Sequence, residues 1–178
     1  YFKEYSYGNA TLAQFLGALE QGSGQDLKEW SRLWLETPSL NTIGSKWESD
    51  GERVTQLSLT QTAPDGYPTL RPHRVDIGLV RDEGGKLAVD VLPATIRDAE
   101  TDIPEARGLT KPGLVFPNYN DYGYAKVALD ADSVAFVRES IDRVDDTLLR
   151  QLLWSSLWNM VRDQQLKSTE FLALVREK

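Results

Sequence analysis

Apolar positions change their period twice along this chain. Up to about residue 41 they recur at helical spacing. Thr11 followed by Gln14 has capping-box spacing, a hydroxyl and an amide each able to hold an orphan N–H of a first turn. Leu12, Phe15, Leu16 and Leu19 then share a helix face, and Gly22 and Gly24 are expected to stop the run. Asp26 and Glu29 repeat a cap-like signal before Leu27, Trp30, Leu33 and Trp34, and Pro38 closes that second helix. The spacing predicts a short helical hairpin, too small to bury its own aromatics.

From about residue 42 to 130 the period falls to two. Leu57 and Leu59 alternate with Ser58 and Thr60, and Val75, Ile77 and Leu79 with Asp76 and Gly78. Leu87, Val89 and Val91 do the same, as do Ala125, Val127 and Leu129. Turn chemistry separates the runs: APDG at 63–66, RDEGGK at 81–86 and KPG at 111–113. Residues 75–92 form the clearest hairpin. Half-buried strands at such close spacing predict an antiparallel β-sandwich of about seven or eight short strands. The fold class is therefore mixed and mainly β, with helices at both ends.

Helical spacing returns near Ser133, the expected N-cap. Val134, Val137, Ile141 and Val144 share a face. A second run carries Leu148, Leu149, Leu152, Leu153, Leu157 and Val161, with Trp154 and Trp158 four residues apart. A third, from Ser168, carries Phe171, Leu172 and Val175. Three helices in this arrangement resemble the opening of a helical array that needs stacked neighbours.

Composition sharpens this picture. The 178 residues carry 20 Lys and Arg against 27 Asp and Glu, a net charge of −7, which argues against nucleic acid as the main partner. Hydrophobic content of 40% is that of a folded domain, and no apolar run reaches the ~20 residues of a bilayer span. The absence of Cys excludes disulfides, thiolate metal sites and a Cys nucleophile, and suits a reducing, cytoplasmic compartment. A single histidine, His73, excludes any two-His metal site. The only Met is Met160, and the chain opens on Tyr1 inside an aromatic cluster and ends on FLALVREK, which predicts a segment of a longer protein.

Candidate chemistry is sparse. His73, in LRPHR, has no evident partner for base catalysis and is expected at the surface or on an edge strand. Asp98, Glu100 and Asp102 alternate and would share a strand face, able in principle to hold a hard cation, but a solvated face is the simpler reading. Asp142, Asp145 and Asp146 sit at a helix junction, where Asp145 or Asp146 reads as an N-cap. Tyr119, Tyr122 and Tyr124 offer a carbohydrate-stacking patch, against which the Asn, Asp and Gly around them indicate a turn with its aromatics packed at a junction. The Trp30/Trp34 and Trp154/Trp158 pairs read as core. No P-loop, GxGxxG, GxSxG, CxxC or HExxH occurs.

Three stretches, in order, resemble a known family. The first, YFKEYSYGNAT leading to Trp30, Trp34 and LETPSLNT, is similar to the end of the catalytic domain in aminopeptidase N-type zinc peptidases, the gluzincin family of membrane alanyl aminopeptidase. TLRPHRVDIGL at 69–79 resembles a strand of the following domain in bacterial, especially actinobacterial, members. LVFPNYNDYGYAKVALD at 114–130 resembles the segment that closes that domain.

The resemblance implies a parent enzyme that removes N-terminal residues from peptides. In that family two His and a Glu hold Zn²⁺, and a second Glu acts on the metal-bound water. A Gly-x-Met-Glu-Asn loop binds the substrate's amino group, and a Tyr steadies the tetrahedral intermediate. None of these residues maps here: one His is present, Met160 precedes Val161, and the family Tyr lies upstream of the first helices, so neither Tyr5 nor Tyr7 inherits its role. The resemblance therefore implies no catalytic, metal or substrate-binding residue and no bound cofactor in this segment, with zinc belonging to the parent. It divides the chain into the tail of the catalytic domain (1–41), a β-sandwich (42–131) and the first helices of a C-terminal helical domain (132–178). The partners are then the rest of the same chain and, for the parent, peptides. Exposed apolar surface is expected on the outer helices. The contrasting readings are an independent β-sandwich binding module acting through the Tyr119–Tyr124 turn, and a metal- or sugar-binding domain using Asp98, Glu100 and Asp102.

Overall fold

A computed structural model describes residues 1–178, which divide into two compact units, residues 1–39 and 40–178. The first holds α1 (Leu12–Ser23) and α2 (Lys28–Trp34). The capping box forms as predicted: Gln14 N–H donates to Thr11 Oγ1 at 3.3 Å, and Thr11 N–H to Gln14 Oε1 at 2.8 Å. Gly24 ends α1 in the left-handed region at φ 68°. Gly22 does not stop it and lies within the helix, because one interior glycine costs only about 1 kcal/mol while the real cap is two residues on. No residue of α1 is buried, and Leu12 and Leu19 are exposed, as expected for an outer helix.

Residues 40–178 open with seven strands. These are β1 (Thr42–Asp50), β2 (Arg53–Thr62), β3 (His73–Glu83), β4 (Lys86–Ile96), β5 (Glu100–Asp102), β6 (Leu114–Phe116) and β7 (Lys126–Val127). One sheet has the order β5-β2-β1-β7 and the other β4-β3-β6. All pairings are antiparallel except β1 with β7, which is parallel at Thr42↔Lys126 and Ile43↔Val127. The predicted hairpin is longer at both ends, running from His73↔Ile96 to Glu83↔Lys86. Its two-residue turn, Gly84 and Gly85, has φ of 67° and 97°, the doubly left-handed turn whose twist matches the strands. Asp82 Oδ1 accepts the Gly85 N–H at 2.6 Å and fixes it.

Between the sheets lies one core of Ile43, Val54, Leu57, Leu59, Val75, Ile77, Leu79, Ile96 and Val115. The β4-β3-β6 sheet has a second buried face. Val80, Leu114 and Phe116, of opposite parity to Val75 and Val115, join Val127 and Leu129 in a core shared with the C-terminal helices. This sheet is the middle layer of the unit.

Those helices are α3 (Ala131–Ser140), α4 (Thr147–Arg162) and α5 (Ser168–Glu177). Leu149, Leu153, Leu157 and Met160 form the buried stripe of α4, while Trp154 and Trp158 meet Phe171 of α5 at ring-centroid distances of 5.9 and 5.5 Å. The apolar stripes of α3 and α4 thus find partners within the chain on the outer face of the middle sheet. Leu172 and Val175 of α5 remain exposed.

The N-cap of α3 is Asp130, not Ser133. Asp130 Oδ1 accepts the Ser133 N–H at 2.9 Å, and Ser133 is fully buried in the first turn. Its hydroxyl donates to Asp130 Oδ2 at 2.7 Å and accepts the Val115 N–H at 3.0 Å. Asp130 Oδ2 also accepts from Ser45 of β1 at 3.0 Å. One carboxylate and one hydroxyl thereby join both sheets to α3.

Candidate functional site

The strongest concentration of buried polar side chains lies at one end of the sandwich, where Asn41, Gln61, Arg71 and His73 are each at most 2% exposed. Their work is to hold the chain between β2 and β3. Asn41 Nδ2 donates to the Thr69 carbonyl at 2.8 Å, and Gln61 Oε1 accepts the Arg71 N–H at 3.0 Å. Gln61 Nε2 also reaches the Asp98 carbonyl at 3.3 Å. The His73 Nε2 lies 3.3 Å from Asn41 Oδ1, with the Arg71 guanidinium 3.5 Å from the same oxygen. Side-chain amides here satisfy buried backbone groups that no strand partner serves.

His73 therefore contradicts the expectation of a surface position. It begins the central strand of its sheet, with the same parity as Val75, Ile77 and Leu79, so its ring points inward. Burial, and secondarily the Arg71 charge, push its pKa down from 6.5 to about 4. The native state holds the ring neutral, whereas the unfolded chain protonates it at the ordinary value. Stability is then full above pH 6.5, falls as the pH drops from 6.5 to about 4, and levels off below. The expected loss is about 3 kcal/mol. Asp82, Glu100 and Asp142 have lowered pKa values, through hydrogen bonds from Arg143, Ser58 and Lys178 respectively, so their contribution is lost only below about 4.5. Urea unfolding of the wild type and His73→Gln across pH 7.5 to 4.5 separates the two effects. The variant is expected to show a flatter dependence, and parallel curves would contradict the buried neutral ring.

The other sequence candidates are dispersed into structural roles. Glu100 accepts from Ser58 Oγ at 2.9 Å and Lys46 Nζ at 3.3 Å, and Asp102 pairs with Arg107 at 2.9 Å. Asp98 lies outside β5, and no group of three or more metal-ligating side chains gathers anywhere in the structure. Asp146 caps α4 as predicted, accepting from the N–H groups of Leu148 and Leu149 at 2.9 and 3.1 Å. Asp142 pairs instead with Lys178 at 2.8 Å, and Asp145 is exposed.

The tyrosine turn divides. Tyr119 packs on the helical core, and its hydroxyl donates to Asp146 Oδ2 at 3.0 Å, a junction role as expected. Burial, followed by that carboxylate, raises its pKa. Its ring fills space above Gly78, where an added Cβ would lie 2.7 Å from Cδ2. Tyr122 and Tyr124 instead stand in solvent, 67% and 76% exposed. Buried Asn118 holds the turn by bonding both the N–H and the carbonyl of Gly123 at 2.9 Å.

Sequence reasoning passed over one concavity. An open groove of about 430 Å³ runs between α3 and the α4–α5 connection, lined by Leu129, Val134, Ala135, Met160 and Leu166 with Arg138 and Glu170 paired at its rim. It contains no nucleophile beside a base. No helix is long and apolar enough to cross a membrane.

Residues 114–178 match the family described as the ERAP1-like C-terminal domain. Aminopeptidase N of Streptomyces lividans is 41% identical over 184 residues, covering 98% of this chain and 22% of that protein. The crystal structure of Legionella pneumophila aminopeptidase A, solved in complex with aspartic acid, superposes with a TM-score of 0.55 over 99% of this chain and 21% of its own length. At 16% identity that likeness speaks for the fold alone. The chain thus spans about a fifth of the relatives it matches, and over nearly its whole length it is homologous to a segment of the aminopeptidase N family.

Proposed function

We propose that this chain is a non-catalytic, architectural segment of a zinc-dependent aminopeptidase. Its sandwich, residues 42–131, links the end of the catalytic domain (1–41) to the first helices of a C-terminal helical domain (132–178). The observation that carries this reading is the 41% identity to an aminopeptidase N along almost the entire chain. A single buried histidine and carboxylates already engaged with Arg, Lys and Ser partners support the assignment of zinc and of peptide-bond chemistry to other parts of the parent. No residue of this segment is proposed as catalytic, metal-binding or substrate-binding. The parent acts on the N-terminal residues of peptides in the cytoplasm, a compartment that the lack of cysteine suits.

The test is direct. The 178-residue chain, incubated with Zn²⁺ and aminoacyl-p-nitroanilides of Ala, Leu and Arg, is expected to retain no stoichiometric zinc after dialysis and to release no nitroaniline. The enzyme that contains the segment is expected to release it in a chelator-sensitive way. Metal-dependent turnover by the segment alone would overturn the proposal. The exposed Tyr122 and Tyr124 favour a second reading, an independent binding module, which saturable glycan binding lost in Tyr122→Ala would support.

A further inference from the structure

The passage from sandwich to helices looks in sequence like a boundary between domains, yet its structure is that of a sealed joint. β7 ends at Val127 and α3 begins at Ala131. The residues between them are all engaged. Ala128 N–H donates to the Ile43 carbonyl at 2.9 Å, Leu129 is buried in the helical core, and Asp130 is the N-cap. No free loop remains to absorb a change in backbone angles, which a hinge requires.

The interface is apolar at its centre and tied at its edges. Val80, Leu114 and Phe116 of the middle sheet share one core with Val137, Ile141, Leu149, Leu153 and Leu157. Around this core, polar contacts cross the seam at well-separated points of the sequence. Arg143 Nη1 donates to Asp82 at 2.5 Å and to the Gly85 carbonyl at 3.3 Å, at the tip of the β3–β4 hairpin. Tyr119 reaches Asp146, and Lys126 pairs with Asp163 at the far end of α4 at 2.8 Å. The Ser45–Asp130–Ser133–Val115 chain closes the remaining side. Relative motion is the default where an interface between domains lacks a shared hydrophobic core, and this one has a core of buried apolar side chains from both sides.

We infer that the sandwich and the three C-terminal helices form a single rigid strut, so that displacing the helices carries the β4-β3-β6 sheet with them. This goes beyond the proposed architectural role and does not depend on it, since the joint lies wholly within residues 40–178. Any conformational change of a larger protein that contains this segment must therefore act at another place than residues 128–130.

Because the chain has no cysteine, paired spin labels can be placed without background. Glu105→Cys with Leu172→Cys spans the joint, and Glu105→Cys with Lys86→Cys lies within the sandwich; all three positions are exposed. Distances are read by pulsed dipolar spectroscopy on the 178-residue chain. The expected result is one narrow distance across the joint, no broader than the intra-sandwich control. A distribution at least twice as broad as the control, or one with two maxima, would overturn the inference. Circular dichroism and the control pair report folding independently, so a misfolded variant is not mistaken for a mobile joint.

Discussion

Gly113→Ala is expected to destabilise the protein by about 3 kcal/mol, the largest steric effect among its glycines. The reason is steric and not conformational, because Gly113 does not have a positive φ. Its N–H donates to the Val80 carbonyl at 2.8 Å, which pins the backbone against β3. The ring of Phe136, on α3, lies directly against this position. A Cβ at Gly113 would fall 2.0 Å from Phe136 Cδ2 and 2.4 Å from Cε2, far inside contact distance. Neither partner yields easily, since the backbone is held by β3 and α3 by its cap. The ring must leave its place against the helical core or the helix must tilt. A double-mutant cycle isolates this contact. Gly113→Ala with Phe136→Ala is expected to be more stable than the sum of the single variants by about 1–2 kcal/mol. The readout is the urea midpoint at unchanged m-value. A loss below about 1 kcal/mol for Gly113→Ala would show that the ring swings aside at little cost.

Asp130→Ala is expected to cost about 2–3 kcal/mol. Part is the lost cap, worth about 1 kcal/mol on its own. The larger part comes from Ser133. Its buried hydroxyl accepts the Val115 N–H, so its own hydrogen is committed to Asp130 Oδ2. Removing the carboxylate leaves that hydrogen, and the Ser45 hydroxyl, without their charged acceptor. Asp130→Asn keeps an oxygen for the cap and loses the charge, so an intermediate loss of about 1 kcal/mol is expected. If the alanine variant unfolds at the same urea concentration as the wild type, water replaces the carboxylate at this junction.

Much of the fold is legible in the sequence where elements are long enough to repeat their pattern. The capping box at Thr11 and Gln14, the alternation through Val75, Ile77 and Leu79, and the Gly-Gly turn each state their local structure directly. β1 is harder, because TIGSKWESD is mostly polar and only Ile43 is deeply buried. β5, β6 and β7 have two or three residues each, shorter than one full alternation. The middle sheet hides its second face for another reason. Alternation marks Val75, Ile77 and Leu79 as buried, but the intervening Gly78 and Val80 are buried too, against Tyr119 and the helices. A strand covered on both sides has no polar phase to read.

The candidate site follows the same logic. That no two-His metal site can form follows from counting histidines. The burial of His73 is misread in the sequence: parity places it with Val75 on the inward face, but a polar residue beside Pro72 and Arg74 reads as surface. Ser133 and Asp130 are both good cap residues three apart, and sequence spacing alone does not say which is the cap and which its N3 partner. The amide cluster of Asn41 and Gln61 leaves no sequence signature, because its partners are carbonyl and N–H groups of distant loops.

The parallel pairing of β1 with β7 also sets an order of events during synthesis. β1 can pair with β2 as soon as their connecting turn emerges, yet the strand on its other side is the last of the sandwich to be made. Until Lys126 and Val127 leave the ribosome, Thr42 and Ile43 present an unsatisfied strand edge to the surroundings. The β3–β4 hairpin, joined by two residues, closes early and locally, while closure of the first sheet waits on contacts of long sequence separation. The nascent sandwich is thus open at one edge for most of its translation, and that edge is where a holding chaperone or a stray strand would find it.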